Sequence, residues 1–294
     1  MQKPKVIVIL GQTATGKSDL AVKIAKKVSG EVISADSRQV YKGLDLGTGK
    51  INKKEMQNIP HHLLDVTNPK NKFSAAEYKK LADTKIKEII SRGKVPIICG
   101  GTGFYIDAVV NGIIFPEVLP NEKLRKTLNK RSALELFKML QKLDKARAKN
   151  IDSKNKVRLI RAIEIVEVLD KVPEIKQTVP IYEFTKIGLF LPAEILKNKI
   201  NKRLLARIKV GMIEEIENLH KNGLSWKRME EMGLEYRYIA QYLQKKISRE
   251  EMLQKLNSEI YKYAKRQMIW FKRDKKIKWF DAADKNKKIP LIPV

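Results

Sequence analysis

A phosphate-binding loop near the start of the chain is the feature that most constrains its fold. Residues 6–10 are apolar and mostly β-branched, which predicts a buried strand, and Gly-x-x-x-x-Gly-Lys-Ser follows directly at residues 11–18. Helical periodicity then begins at Lys17 and continues to residue 28. Two glycines let the backbone fold around an anion with its N–H groups turned inward, at the positive end of a helix. The pattern therefore predicts phosphate binding rather than a glycine turn that only joins a strand to a helix.

Individual positions of this loop have distinct chemical roles in the prediction. The Lys17 ammonium places a positive charge beside the phosphates, and the Ser18 hydroxyl is a ligand for Mg²⁺. Read alone, the motif predicts a nucleotide such as ATP or GTP, although other phosphate compounds fit it equally well. The residues expected to contact a diphosphate or nucleotide are Gly11, Gln12, Thr13, Ala14, Thr15, Gly16, Lys17 and Ser18.

The charge of the chain narrows the class of partner. Its 294 residues include 61 Lys and Arg but only 33 Asp and Glu, a net charge of +28. Such a field favours a polyanionic partner such as nucleic acid or an acidic surface. Coding bias and the need for solubility also produce lysine-rich chains, so charge alone does not identify the partner.

Cysteine content and the N-terminal segment indicate the compartment. The single cysteine, Cys99, cannot form an internal disulfide, which fits a reducing environment. The first apolar run is five residues long, too short for a signal sequence or a membrane span. We therefore expect a cytoplasmic protein that has no membrane partner.

Polar and glycine-rich segments follow two further predicted strands. Residues 31–35 form a short strand that leads into Asp36-Ser37-Arg38-Gln39-Val40-Tyr41, and residues 95–99 form another that leads into Gly-Gly-Thr-Gly-Phe-Tyr at 100–105. Open parallel sheets bind ligands beyond the carboxyl ends of their strands, so both segments are candidate site residues. The second strand ends in glycines rather than in the magnesium-binding aspartate of many ATPases and GTPases, which argues against a generic ATP hydrolase.

The middle of the chain has the pattern of a helical insertion. Residues 113–185 show mainly helical periodicity, and residues 123–161 within them carry 14 Lys or Arg against three Asp or Glu. This charge fits either a nucleic-acid partner or a solvated helix face. Earlier in the chain, the neighbouring His61 and His62 would point to opposite faces of a strand, so a hydrogen-bonding role is favoured over a metal site.

The pattern resumes an α/β character after the insertion. Residues 187–191 predict a returning core strand, a long helical pattern runs from 196 to 219, and another helix spans 249–271. The predicted fold class is therefore α/β, with a P-loop NTPase-like parallel sheet core flanked by helices and a small helical insertion domain. The predicted core comprises residues 1–112 and 186–294, and the insertion comprises residues 113–185.

The C-terminal segment combines basic and aromatic residues. Residues 261–288 contain 11 Lys or Arg and three Asp or Glu, interleaved with tyrosines, tryptophans and phenylalanines. Unstacked RNA bases offer faces for aromatic stacking while phosphates attract Lys and Arg, so this composition suits RNA. Helical spacing with Tyr263 and Gln267 nevertheless favours a packing role for Trp270.

Six stretches together resemble the tRNA dimethylallyltransferase family, also called tRNA isopentenyltransferases. The combination of Asp-Ser-x-Gln-Val-Tyr with Gly-Gly-Thr-Gly is the most specific part of the resemblance. The stretches follow the family's order along the chain and occupy residues 11–18, 36–41, 60–65, 100–105, 158–164 and 264–267.

The resemblance implies an activity, partners and roles for residues. Members transfer a dimethylallyl group from dimethylallyl diphosphate to the exocyclic amine of the adenosine just 3′ of the anticodon, with Mg²⁺, and a monomer is the family expectation. By resemblance, Asp36 takes the proton of the amine, Thr102 lines the channel for the base, and Arg125 contacts the diphosphate beside Lys17. These four are the expected catalytic residues, and the expected tRNA-binding residues are Asp36, Ser37, Arg38, Gln39, Thr102, Arg125, Arg158 and Arg161.

The chemistry of such a transfer suits these residues. An adenine amine is a poor nucleophile because its lone pair is delocalised into the ring, so the reaction needs a stabilised leaving group and a base at the amine. The insertion and the C-terminal helices are expected to grip the anticodon stem-loop by its phosphates. Two other functions remain open at this point: an ATP-dependent small-molecule kinase of the nucleotide-kinase type, and a non-catalytic RNA-binding protein with a structural nucleotide. For Asp36, binding Mg²⁺ through water or capping the following turn are the alternatives.

Overall fold

The computed structural model describes residues 3–284, which divide into two compact units. We call them the core unit, up to Gly112 and again from Val179 onward, and the insertion unit, Ile113–Thr178. Among the described residues, no helix is both long and apolar enough to cross a membrane. The strands in chain order are β1 (Lys5–Gly11), β2 (Gly30–Ala35), β3 (His61–His62), β4 (Val95–Gly100), β5 (Ile113–Ile114), β6 (Lys176–Gln177), β7 (Glu183–Phe190) and β8 (Lys278–Asp281).

Helices surround these strands in the core unit and make up most of the insertion unit. The first four helices are α1 (Lys17–Val28), α2 (Lys53–Met56), α3 (Ala75–Ser91) and α4 (Gly103–Val110). The insertion unit contains α5 (Glu122–Leu128), α6 (Ala133–Leu143), α7 (Lys145–Lys149) and α8 (Lys156–Leu169). The remaining helices of the core unit are α9 (Ala193–Lys209), α10 (Met212–Lys221), α11 (Trp226–Met232), α12 (Leu234–Leu243) and α13 (Arg249–Phe271).

The core unit is organised around a parallel sheet in the order β3-β2-β4-β1-β7-β8. Its central strand β1 is covered on both faces, which explains the unbroken apolar run in its sequence. Val6, Val8 and Leu10 pack into one buried cluster, while Ile7 and Ile9 pack into the other. The predicted α/β fold with a parallel sheet is therefore confirmed.

Strand order brings the ends of three strands together at one edge of the sheet. Leu10 of β1 and Ala35 of β2 both pair with Gly100, the last residue of β4. Since all three strands are parallel, the segments that follow them leave the sheet side by side. The P-loop, the Asp36 turn and the glycine turn before α4 consequently lie next to one another.

The structure differs from the sequence prediction at three places in the core unit. Strand β7 begins at Glu183 rather than at residue 187, so residues 179–185 group with the core unit and the insertion ends at Thr178 instead of 185. The helical pattern of residues 196–219 is two helices, because Gly211 between them has a φ of 106°. Strand β8 was not predicted, and it places Trp279 and Phe280 against the core. Residues 285–288 of the basic aromatic segment lie outside the described residues.

The insertion unit has its own buried core and a buried charged centre. Leu136 and Leu140 of α6 pack against Leu159 and Ile163 of α8. Glu164 of α8 is only 1% exposed, and its carboxylate accepts hydrogen bonds from Arg125, Arg161 and the Asn121 N–H. Burial alone would raise the pKa of Glu164, but these hydrogen bonds outweigh it and lower the pKa below its ordinary value.

We expect Glu164→Gln to destabilise the insertion unit. The amide cannot accept all of the hydrogen bonds that the carboxylate accepts, so the free energy of opening α8 should fall by about 2 kcal/mol. A carboxyl group whose pKa is lowered by folding stabilises the fold above its unfolded pKa, and this contribution is lost as the pH falls through its folded pKa. The difference in stability between Glu164→Gln and wild type should therefore shrink in acid.

Native-state hydrogen exchange of the α8 amides, measured across that pH range, checks this prediction. Glu167→Gln is the matched control, since Glu167 is an exposed residue of the same helix and its substitution should change stability by no more than about 0.5 kcal/mol. Equal effects of the two substitutions would contradict the role of Glu164.

Candidate active site

A cavity of about 570 Å³ opens at the edge of the sheet where the three strand ends meet. All of the residues that line it belong to the core unit. They include Thr13 to Asp19 of the P-loop and α1, Asp36 and Gln39 beyond β2, and Gly100 and Gly101 beyond β4. The other contributors come from the segment after Tyr41 through α2, from the end of β4, and from helices α9 and α13. They are Thr48, Gly49, Ile51, Glu55, Cys99, Lys199, Lys202, Arg203, Tyr263 and Gln267.

The P-loop has the geometry that its sequence predicts. Helix α1 begins at Lys17, directly after Gly16 with a φ of 83°, so its free N–H groups lie at the cavity. The Lys17 ammonium donates to the Gln12 carbonyl at 2.5 Å, and the Thr15 hydroxyl donates to the same oxygen at 2.8 Å. Burial lowers the pKa of Lys17 to about 8, and the nearby Arg203 guanidinium acts in the same direction.

Only part of the predicted loop faces the cavity. Residues 13–18 line it, whereas Gly11 is the last residue of β1 and Gln12 is buried. The Thr13 N–H donates to Oε1 of Gln267 at 2.8 Å, and Nε2 of Gln267 donates to the Gly101 carbonyl at 3.0 Å. A side chain of α13 therefore links the P-loop to the glycine turn after β4.

The two oxygens of Asp36 have different surroundings. Oδ1 accepts the backbone N–H groups of Arg38 at 2.8 Å and Gln39 at 3.3 Å, which is the turn-capping role considered from the sequence. Oδ2 accepts no hydrogen bond from any residue between 3 and 284. The carboxylate thus caps the turn with one oxygen and retains the other as an acceptor at the cavity.

Hydrogen bonds also fix the residues around Asp36. Oγ1 of Thr102 accepts the Ser37 N–H at 2.9 Å and lies 3.4 Å from the Ser37 hydroxyl. The Gln39 side chain accepts from the Ser34 hydroxyl at 3.2 Å and donates to the Gly49 carbonyl at 3.5 Å. Ser37, Arg38 and Thr102 adjoin the Asp36 turn but are not among the residues that line the cavity.

Three cations of α9 were missed by the sequence analysis. The cavity that the P-loop lines is also lined by Lys199, Lys202 and Arg203, which follow the P-loop by more than 180 residues in the sequence. Nη2 of Arg203 donates to the Gly49 carbonyl at 3.1 Å. Burial and the neighbouring Arg207 lower the pKa of Arg203. Their spacing of three and four residues puts them on one helix face, and this pattern could have identified them in a chain already known to bind phosphate.

The predicted arginines of the insertion unit do not line this cavity. Arg125 forms a two-pronged ion pair with Glu164, with nitrogen–oxygen distances of 2.7 and 2.8 Å. Arg161 donates to the Val118 carbonyl at 2.8 Å as well as to Glu164, and Arg158 is exposed on α8. Their contacts with diphosphate or tRNA remain predictions.

The donor set of the cavity suits a hard cation. Ser18, Asp19 and Asp36 supply oxygen atoms, and Mg²⁺ typically uses one or two protein oxygens together with substrate phosphates. Burial raises the pKa of Cys99 to about 12, which keeps this thiol protonated. The described residues contain no group of three His, Cys, Asp or Glu side chains placed to hold a metal ion. Nε2 of His62 lies 2.7 Å from Oε2 of Glu31, which is the hydrogen-bonding role expected from the sequence.

Comparison with known proteins identifies relatives over nearly the whole chain. A protein-family model described as IPP transferase matches residues 39–274. A tRNA dimethylallyltransferase 2 of Treponema denticola is 45% identical over 279 residues, covering 93% of this chain and 93% of that protein. A tRNA dimethylallyltransferase 1 of Geotalea uraniireducens is 42% identical over 270 residues, covering 91% of this chain and 88% of that protein.

Solved structures agree with the sequence relatives. A tRNA isopentenylpyrophosphate transferase of Bacillus halodurans superposes with a TM-score of 0.72 at 34% identity, covering 95% of this chain and 90% of that one. A eukaryotic dimethylallyltransferase, captured in crystallographic snapshots of its action on tRNA, superposes with a TM-score of 0.81 at 26% identity, covering 96% of this chain and 74% of that one. With the P-loop cavity and the family match together, the chain belongs to the IPP transferase family.

Proposed function

We propose that this chain transfers a dimethylallyl group from dimethylallyl diphosphate to the exocyclic amine of the adenosine 3′-adjacent to the tRNA anticodon, releasing diphosphate. One observation carries the proposal: a P-loop and an aspartate with an uncommitted oxygen line the same cavity. The names of the relatives support the same donor and acceptor. A protein that acts on tRNA in this way would work in the cytoplasm, which is the localisation that we propose.

The cations of the cavity suit the leaving group. When the bond between the allylic carbon and the diphosphate oxygen breaks, its electron pair stays on the diphosphate and increases the negative charge there. Lys17, Arg203 and the N-terminus of α1 would stabilise this charge. Ser18 would hold Mg²⁺ together with the diphosphate, and the bound ion would add further neutralising charge.

Asp36 would act at the other end of the reaction. The adenine nitrogen attacks the allylic carbon, a carbon–nitrogen bond forms, and the proton that the nitrogen gives up passes to the Asp36 carboxylate. Oδ1 remains bound to the backbone of the turn, so Oδ2 is the oxygen available as base. The carboxylate is adjoined by Ser37, Gln39 and Thr102. In this proposal, these three residues recognise the flipped-out base.

Substitution of Asp36 by Asn should separate chemistry from structure. Asn keeps an oxygen to cap the turn but cannot take a proton at pH 7, so kcat should fall by roughly 10²- to 10⁴-fold. The measurement is mass spectrometry of nucleosides from unmodified tRNA incubated with Mg²⁺ and dimethylallyl diphosphate. Absence of prenyl-adenosine with wild type would reject the proposed function, and full activity of Asp36→Asn would remove Asp36 as the base.

The kinase alternative is tested by supplying ATP in place of the prenyl donor and searching for phosphorylated products.

The pKa of Lys17 predicts a pH dependence of anion binding. The ammonium is charged below its pKa of about 8 and neutral above it, so the affinity for inorganic pyrophosphate should decline above pH 8. The decline should approach about tenfold per pH unit for one linked proton. Arginine stays charged throughout this range, so Lys17→Arg should not show this decline.

Calorimetric titrations between pH 6.5 and 9.5, expressed as the ratio of the two proteins' affinities, cancel the ionisation of pyrophosphate itself. A ratio that does not change with pH would contradict a role for Lys17 in holding the diphosphate.

The surface charge predicts that tRNA affinity depends strongly on salt. If several Lys and Arg side chains contact phosphates, a logarithmic plot of affinity against salt should have a slope steeper than about −3. Arg158→Gln should reduce the slope by about one, because Arg158 is an exposed cation of the insertion unit. Lys27→Gln, at the end of α1 far from the P-loop, is the control and should leave the slope unchanged. Filter-binding assays over 50 to 300 mM salt measure it, and a flat response would count against tRNA binding by these surfaces.

A further inference from the structure

We propose that Glu215 is a positioning residue for the cavity: its carboxylate holds loop 43–50 in the conformation that lets Arg203 and Gln39 meet the substrates. The loop is glycine-rich, connects the Asp36 turn to α2, and carries Thr48 and Gly49 at the cavity wall. The inference rests on the proposed function for the identity of the substrates, but not for the contacts that hold the loop.

The Glu215 carboxylate is surrounded by donors. Oε2 accepts the backbone N–H groups of Asp45 at 3.1 Å and Leu46 at 2.6 Å. Oε1 accepts the Gly47 N–H and the Tyr236 hydroxyl, both at 3.0 Å. Three successive backbone N–H groups that converge on one carboxylate form an anion nest, occupied here by a side chain of α10.

Carbonyl groups of the same loop are bound from α9. Nη1 of Arg207 donates to the carbonyls of Leu46 and Gly47, each at 3.0 Å, while its Nη2 forms an ion pair with Glu235 at 2.8 Å. The peptide groups at the turn of the loop thus have an N–H partner on α10 and a C=O partner on α9, and both partner side chains are in turn bound by residues of α12. A loop with so many outside partners has little freedom unless those partners change.

The loop passes this restraint on to the cavity through Gly49. The Gly49 carbonyl accepts from Nη2 of Arg203 at 3.1 Å and from Nε2 of Gln39 at 3.5 Å. One carbonyl therefore orients both a cation of the proposed diphosphate site and an amide beside Asp36. A shift of the loop would move these two side chains together.

Two glycines of the loop are required by this arrangement. A Cβ atom at Gly47 would lie 2.5 Å from the Tyr236 hydroxyl oxygen, and one at Gly49 would overlap the Arg203 guanidinium. The close approach of these side chains to bare backbone explains why both positions are glycine. At the far end of the loop, Lys50 forms an ion pair with Asp65 outside the loop and another with Asp45 within it, each 2.6 Å long.

The experiment compares Glu215→Gln with Glu214→Gln. In the first variant, an NH₂ group replaces one carboxylate oxygen and faces groups that are themselves donors, so the hydrogen bonds to that oxygen are lost. Glu214 is the exposed neighbour on the same helix turn, and its substitution makes the same change in charge. Amide hydrogen exchange of residues 44–49 should accelerate about tenfold in Glu215→Gln and stay at the wild-type rate in Glu214→Gln.

Ligand binding supplies the functional part of the test. The affinity of Glu215→Gln for inorganic pyrophosphate should fall about tenfold, and the KM for dimethylallyl diphosphate should rise by a similar factor. The KM for tRNA should rise less, because Gln39 is one of several residues proposed to recognise the base and its bond to the Gly49 carbonyl is long, at 3.5 Å. Pyrophosphate titration does not depend on turnover, so it remains informative even if wild type fails to prenylate tRNA. A general loss of stability would lower the Tm, but it would not raise the KM for the donor more than the KM for tRNA.

A second variant covers the case in which Glu215→Gln does not fold. Tyr236→Phe removes one of the four donors to the carboxylate and leaves the ring in place, so the same changes should appear at about threefold. Unchanged exchange of residues 44–49 in both Glu215→Gln and Tyr236→Phe would overturn the proposal, because the loop would then be held by other contacts. Faster exchange with unaltered pyrophosphate affinity and KM would overturn it as well, because the cavity would not depend on the loop.

Discussion

The concentration of positive charge around one cavity is the constraint on which the rest of the site depends. Lys17, Lys199, Lys202 and Arg203 share this space with the N-terminus of α1. Burial lowers the pKa values of Lys17 and Arg203, because water solvates the two positive charges poorly there. Nearby cations act in the same direction. Backbone carbonyls satisfy part of this demand through Gln12 and Gly49. A multiply charged anion such as the proposed diphosphate would satisfy the remainder.

The topology of the sheet puts this charge beside the Asp36 carboxylate, the proposed base. Because β1 lies between β4 and β7 and β2 lies next to β4, the carboxyl ends of β1, β2 and β4 are neighbours. A group transfer requires the leaving group and the acceptor's proton to be handled within a few ångströms of one carbon. Parallel strands supply that proximity without any long-range adjustment of loops, since each strand delivers its first loop residues to the same edge.

Sequence analysis succeeded where the controlling interactions are local. Two helices, α1 from Lys17 to Val28 and α13 from Arg249 to Phe271, match their predicted limits, because residue spacing and helix ends within each segment determine them. The α9 cations, strand β8 and the loop held by Glu215 depend on partners far away in the chain, as in the bond from Leu46 to Glu215 across 169 residues. Periodicity carries no information about such contacts, and for the same reason the pairing of Arg125 with Glu164 was not foreseen.

The contacts of Gln267 explain one residue of the stretch 264–267, for which the sequence alone indicates no chemical role. One of its partners, the Thr13 N–H, is a donor, and the other, the Gly101 carbonyl, is an acceptor. Only a side chain with both functions at one end satisfies them: glutamate would leave the carbonyl without its donor, and lysine would oppose the N–H. The amide ties the P-loop to α13, the helix that exposes Lys265 and Arg266. The proposed diphosphate site and the basic surface proposed for RNA are thereby joined through the side chain of a single residue of α13.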